Sequence, residues 1–153
     1  MSNQPVVIYT DGASRGNPGP GGYGAILQWK NKKKEISAGY KKTTNNRMEL
    51  MAVISALEIL KKEGLNVIIY TDSKYVANAV EKGWLFNWVK KRFKDKKNKD
   101  LWLRFLESYK KHSIQFKWVK GHADNPFNNR CDELATQAAD QKATLIDKGF
   151  GLS

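Results

Sequence analysis

Apolar positions recur along the chain with two periods. Short runs rich in β-branched and aromatic residues, at 5–11 (PVVIYTD), 23–29 (YGAILQW), 35–40 (EISAGY), 66–71 (NVIIYT) and 114–119 (IQFKWV), predict strands. Arg47 to Lys62 is a long run of good helix formers, with capping side chains at Thr43 to Asn46 and Gly64 to end it. Asp72 and Ser73 can cap a short helix through Val80, and 84–91, 100–111 and 129–141 also read as helices. Residues 12–22 (GASRGNPGPGG) are turn chemistry throughout, the polar stretch Lys30 to Lys34 predicts a hairpin, and 120–128 reads as a loop. The order is three strands, helix, strand, helices, strand, helix. It predicts a mixed α/β domain with one central sheet and helices against its faces.

A chain of 153 residues, 41% of them hydrophobic, suits a single domain over 1–153, and no linker is visible. No apolar run approaches the roughly 20 residues that cross a membrane, and no basic segment followed by a long apolar stretch opens the chain. No membrane partner is therefore expected. The single cysteine, Cys131, cannot form an internal disulfide, so the expected compartment is the cytoplasm. Nothing in the pattern calls for more than a monomer. Charge changes the picture more: 27 Lys and Arg against 15 Asp and Glu give +12, a field that attracts polyanions and above all nucleic acid.

Against that background a few carboxylates stand out. Ile8-Tyr9-Thr10-Asp11 recurs as Ile69-Tyr70-Thr71-Asp72, so two buried strands each end in an aspartate. If the strands are parallel neighbours, about 4.8 Å apart, the two side chains converge at the C-terminal edge of the sheet, where ligands usually bind. Either aspartate alone would read as a turn cap, and the repetition weakens that reading. Glu49 shares a helix face with Ala52, Val53, Ala56 and Leu60, where a carboxylate is costly unless paired or bound to metal. Asp132, in the expected first turn of the last helix with Ala135 and Ala139 on its side, is a fourth candidate. For Glu49 and Asp132 the ordinary alternative is an acid favoured by the helix dipole. Four acids without a Cys or His cluster form a hard oxygen site suited to Mg²⁺ or Mn²⁺ rather than zinc. Two such ions can activate a water and stabilise the leaving oxygen of a phosphodiester.

The stretch Lys90 to Lys99 (KKRFKDKKNK) carries seven basic residues and one acid. It lies beside Trp84 and Trp88, spaced i,i+4 on one helix face. A solvated charge run is the usual meaning of such a stretch, but basic and aromatic groups together can follow a sugar–phosphate backbone. Lys90, Lys91, Lys96 and Lys97 are the candidate handle. Trp102 and Trp118 are expected in the core, and His112 at the surface.

TDGASRGNPGPGGYGA, TTNNRMELMAVISAL, YTDSKYV and WVKGHADNPFNNRCDELA, in that order, resemble bacterial ribonuclease H of type 1 over about residues 5–150. The resemblance implies a five-stranded mixed sheet in the order 3-2-1-4-5, strand 2 antiparallel, flanked by helices. It implies hydrolysis of the RNA strand of RNA–DNA hybrids, leaving 5′-phosphate and 3′-hydroxyl ends. The family's metal-binding acids fall on Asp11, Glu49, Asp72 and Asp132. Its loop histidine falls on His122, with an auxiliary part in proton transfer or product release. By the same resemblance Asn17, Asn45 and Asn46 line the minor groove near the scissile phosphate, where amide side chains suit a 2′-hydroxyl. Thr44 is implied to hold a DNA phosphate. Lys74 stands at a position often held by Gln in the family, which implies a contact to the substrate backbone instead. Lys90–Lys99 becomes a basic protrusion gripping the DNA strand, shorter here than the usual pattern and with Phe93 at a usual tryptophan. Without the resemblance Asn17 is good turn chemistry before Pro18, and Asn45 and Asn46 are good helix caps.

Two other functions share these features. A non-catalytic nucleic-acid-binding domain predicts at least one missing acid, yet all four are present. A related DNA nuclease, such as a resolvase or transposase core, predicts cleavage without a 2′-hydroxyl.

Overall fold

The computed structural model describes residues 4–120 and 125–151. Its strands are β1 (Val6–Ser14), β2 (Gly19–Trp29), β3 (Lys32–Thr43), β4 (Asn66–Thr71), β5 (Ser113–Trp118) and β6 (Ala143–Leu145). The helices are α1 (Asn45–Glu58), α2 (Lys74–Glu81), α3 (Trp84–Lys90), α4 (Lys99–Tyr109) and α5 (Pro126–Gln141). The strands form one sheet in the order β5-β4-β1-β2-β3-β6. β2 runs antiparallel to β1 and β3, and β4 runs parallel to both β1 and β5. The expected order 3-2-1-4-5 is therefore present, with a short sixth strand added parallel to β3. That strand was invisible in the sequence because three residues after a helix give no alternation to read.

α1 packs on one side of β1, β2 and β3, and α5 covers the same three strands. The core between α1 and the sheet is built from Ile8, Met48, Leu50, Val53, Ile54, Leu57 and Ile69, all almost fully buried. Trp102 and Phe105 of α4 extend it. Among the described residues, no helix is long and apolar enough to cross a membrane.

Several boundaries differ from the sequence reading, each for a physical reason. The glycine-rich stretch 12–22 is not turn throughout. β1 runs on to Ser14 and pairs Gly12 with Tyr23 and Ala13 with Gly22. Gly12 and Gly22 serve close packing, while Gly16, at positive φ between the strands, serves the turn. A Cβ on Gly12 would collide with the backbone of Met48 and Glu49, and one on Gly24 with Cys131 and Leu134 of α5. α1 begins at Asn45 because Thr44 caps it, its Oγ1 accepting from the Arg47 N–H at 3.3 Å. It ends at Glu58, short of Lys62, and the following turn is tied across to β5. There the Gly64 N–H bonds to the Lys111 carbonyl at 2.7 Å and the Leu65 N–H to His112 Nδ1 at 3.2 Å. His112 is thus a half-buried acceptor rather than a free surface group. α5 starts at Pro126, with Asn125 Oδ1 accepting from Phe127 at 2.8 Å, so Asp132 falls in its second turn. Trp118 is not in the core. It is 45% exposed on the edge strand β5.

Candidate active site

Asp11 and the turn after β4 lie side by side because the repeated segments pair in register, Ile8 with Ile69 and Tyr9 with Tyr70. The pairing is reinforced by the Thr10 hydroxyl, which donates to the Tyr70 carbonyl at 3.3 Å. Beyond β4, Trp118 Nε1 donates to the Asp72 carbonyl at 3.0 Å and holds that turn against β5. The close approach at Gly12 brings α1 down onto β1 and delivers Glu49 to the same edge. Carboxylate oxygens of Asp11, Glu49 and Asp72 consequently all lie within 4.8 Å of one another. Asp132 is outside that set, but it borders the same small cavity as Asp11 and Asp72. Thr10, Lys120, Asn128 and Asn129 complete the lining. Sequence reasoning missed all four of these. A polar pair one turn before Asp132 on the same helix was the available signal for Asn128 and Asn129.

The electrostatics of the cluster follow from burial and crowding. Glu49 is only 4% exposed, and its Oε1 has no hydrogen-bond partner among the described residues. Burial, then the charges of Asp11 and Asp72, push its pKa well above the ordinary value. Asp11 is pushed up to about 7, mainly by burial and next by Asp72, although its Oδ1 accepts the Gly12 N–H at 2.9 Å. A buried, unpartnered carboxylate oxygen aimed among other carboxylates is costly unless a cation completes the set. Hard oxygens at this spacing fit a divalent metal ion. Cys131, beneath the cluster with its Sγ on the Tyr9 carbonyl at 3.3 Å, is pushed up to about 12 by burial and is no nucleophile.

The expected substrate contacts occupy other parts of the structure, several of them around the start of α1. Asn17 Oδ1 accepts the Asn45 N–H at 2.9 Å, which docks the β1–β2 turn on the start of α1. Asn17, Thr44, Asn46 and Lys97 line one cavity, together with Arg47, Asn98 and the segment Gly149–Gly151. The minor-groove candidates and the basic stretch therefore face a common space. Asn45 is exposed at the same helix start. Lys74 lies over the Trp118 ring, 4.9 Å from its centroid. The two tryptophans of α3 differ: Trp84 is 44% exposed, whereas Trp88 packs on Tyr75 and Trp102. Lys96 sits over Trp88 at 5.5 Å, and Lys90 and Lys91 are exposed. Arg92, Phe93, Asp95 and Asn98 all take positive φ, so the basic stretch is a tight irregular coil, anchored by the buried ring of Phe93. His122 lies outside the described residues.

A largely buried ion-pair network borders the same cavity and was not expected from the sequence. Arg47, 3% exposed at its side chain, pairs through Nε and Nη2 with Asp147 at 2.6 and 2.8 Å. It also pairs through Nη1 and Nη2 with Asp100 at 2.9 and 2.7 Å. Asp147 Oδ2 further accepts from the Thr43 hydroxyl at 2.7 Å. Burial pulls the guanidinium pKa down, but the two carboxylates outweigh it and raise it.

Carboxylates gathered at the C-terminal edge of a mixed sheet, in a strongly basic chain, define a site for metal-assisted chemistry on phosphodiesters. The family model for RNase H matches residues 3–140. Ribonuclease H of Escherichia coli O139:H28 is 54% identical over 150 residues, covering 95% of each chain. Among solved structures, LC9-RNase H1, a type 1 RNase H with the type 2 active-site motif, superposes with a TM-score of 0.80 at 27% identity. That match covers 92% of this chain and 74% of the other. LC11-RNase H1 in complex with an RNA/DNA hybrid superposes with a TM-score of 0.64 at 26% identity, covering 88% and 96%. The chain belongs to the RNase H family of metal-dependent nucleases.

Proposed function

We propose that this protein is an endonuclease that hydrolyses the RNA strand of RNA–DNA hybrids, leaving 5′-phosphate and 3′-hydroxyl ends. The observation that carries the reading is the trio Asp11, Glu49 and Asp72, its oxygens within 4.8 Å of one another and Glu49 Oε1 buried without a partner among the described residues. These three and Asp132 hold Mg²⁺, with Mn²⁺ as a substitute. When bound, one or two such ions supply a water nucleophile at neutral pH and charge stabilisation at the leaving oxygen. The chain's own groups do the rest. Asn17, Asn45 and Asn46 read the 2′-hydroxyls of the RNA strand. Thr44, Lys74, Trp84, Trp88 and the lysines of 90–99 hold the hybrid's backbone. His122 serves proton transfer or product release. The proposal includes a single domain over 1–153, a monomer, and a cytoplasmic setting, which the lone buried thiol of Cys131 suits.

The test uses one labelled RNA strand, left single, paired with RNA or paired with DNA, and a matched DNA duplex, each with and without Mg²⁺ or Mn²⁺. Cleavage is expected only in the hybrid and only with metal. Cutting of the DNA duplex would move the site to the DNA-nuclease reading, and tight hybrid binding without any cutting to a binding domain.

The basic stretch makes a separate prediction. Replacing Lys91, Lys96 and Lys97 by Ala should raise KM about tenfold at physiological salt and leave kcat unchanged. The slope of log affinity against log salt should fall by up to about 2.7, at about 0.9 for each phosphate no longer neutralised. An unchanged KM and slope would remove these lysines from the interface.

A further inference from the structure

Tyr9 and Tyr70 are register partners on the parallel strands β1 and β4. Their rings stack, 5.0 Å apart and 11° from parallel, close to the ~4.8 Å between strands. Phe127, at the start of α5, stacks on the other side of Tyr9 at 4.9 Å. Lys117, the register partner of Tyr70 on β5, lies over the Tyr70 ring at 5.9 Å, and Lys33 of β3 lies over Phe127 at 5.9 Å. The result is a column of three rings running across the sheet with an ammonium at each end. Its two inner interfaces are occupied ring against ring. Its outer faces meet the ammonium groups of Lys117 and Lys33, near the ~6 Å limit of a useful cation–π contact.

The two ends are not equivalent. α5 packs over β1, β2 and β3, and Phe127 is where it meets the column. At the other end Tyr70 is half-buried, while Lys117 and Gln115 beside it on β5 are exposed. Tyr70 also stands two residues before Asp72, about 7 Å along the strand. We infer that the Tyr70–Lys117 end of this column is a stacking site for an unpaired nucleotide of the RNA strand, next to the carboxylate pocket. The inference rests on the hybrid-nuclease reading, which puts the RNA strand over the carboxylates. A nucleobase displaces the lysine from the ring face because it offers a larger π surface, and the freed ammonium moves to the adjoining phosphate. One ring and one cation thus take the two halves of a single nucleotide without reading its identity. The occupant is a flanking single strand rather than more duplex, because a base stacked within a helix has no free face to offer.

The experiment compares one RNA–DNA duplex that is blunt with the same duplex carrying a short oligoadenylate extension of its RNA strand at either end. Binding is read by fluorescence anisotropy in chelator, where no cutting occurs, and KM is read with metal. The wild-type protein should bind at least one extended hybrid about fivefold more tightly than the blunt one, the factor given by about 1 kcal/mol of base stacking. Tyr70→Leu, which keeps an apolar side chain on β4, and Lys117→Ala, at an exposed position, should each lose that gain and bind and cut blunt hybrid normally. Equal binding of blunt and extended hybrids by the wild type overturns the inference, as does a gain that survives in both variants. An equal gain from extending the DNA strand instead overturns the assignment to RNA. Cleavage of the blunt hybrid by all three proteins keeps the nuclease reading standing whichever way the extension falls.

Discussion

Asp11→Asn should abolish cleavage, by at least about a thousandfold, in a protein that folds normally. Asp11 lies among the other acids: Glu49 and Asp72 are within 4.8 Å, and Asp132 borders the same cavity. Asn keeps the shape and an oxygen for the Gly12 N–H. What it removes is the negative charge that Asp11 brings between the strand and the helix. Near-normal turnover would exclude Asp11 as a ligand. A second readout is independent of activity. The Asp11 pKa is pushed up to about 7 from an ordinary value of 3.8, by burial first and Asp72 next. Its effect on stability is therefore most favourable below pH ~4 and is lost as pH rises through ~7. In chelator, the variant's advantage in Tm over the wild type should be larger at pH 8 than at pH 5. Saturating Mg²⁺ should shrink it, because on the proposed function the ion binds and stabilises the wild-type cluster. An advantage independent of pH would mean that Asp11 is not strained by its neighbours.

Asp147→Ala should cost about 3 kcal/mol of stability in urea unfolding, the lower end of what breaking a buried ion pair costs. Arg47 and Asp147 are 3% and 2% exposed at their side chains, and the pair is joined by two hydrogen bonds. Removal of the carboxylate leaves a buried guanidinium with Asp100, itself 39% exposed, as its remaining acidic partner. The Thr43 hydroxyl loses its acceptor at the same time. Replacing both members, as Arg47→Met with Asp147→Leu, should recover much of the loss, because no unpaired charge then remains. A loss below about 1 kcal/mol for the single variant would show that Asp100 alone satisfies Arg47.

What the sequence revealed depended on whether the cause was local. Asp11 and Asp72 were legible because the repeated IYTD segments ended two apolar strands, and parallel pairing brought them to one edge. Glu49 was legible because a carboxylate on an apolar helix face needs a partner. Arg47 announced nothing, since its partner Asp147 lies a hundred residues away and the intervening fold brings them together. The alternation of IQFKWV gave the phase of β5 but not what covers each face, which is why Trp118 was expected in the core and is exposed. Gly12 looked like a turn residue because the helix that crowds it comes from another part of the chain.

The four acids also differ in what holds them. Asp11 is carried on a strand, and Asp72 directly follows one, both strands locked in a shared hydrogen-bond register. Their separation can change only in jumps of a whole residue, about 3.3 Å, and a jump of one turns a side chain to the opposite face. Glu49 and Asp132 ride on helices, which slide and rotate against a sheet by fractions of an ångström as packing side chains change. The site thus joins a fixed pair to an adjustable pair. Substitutions beneath α1 and α5, far from any substrate, are the dial by which such a site is tuned to ions of different radius.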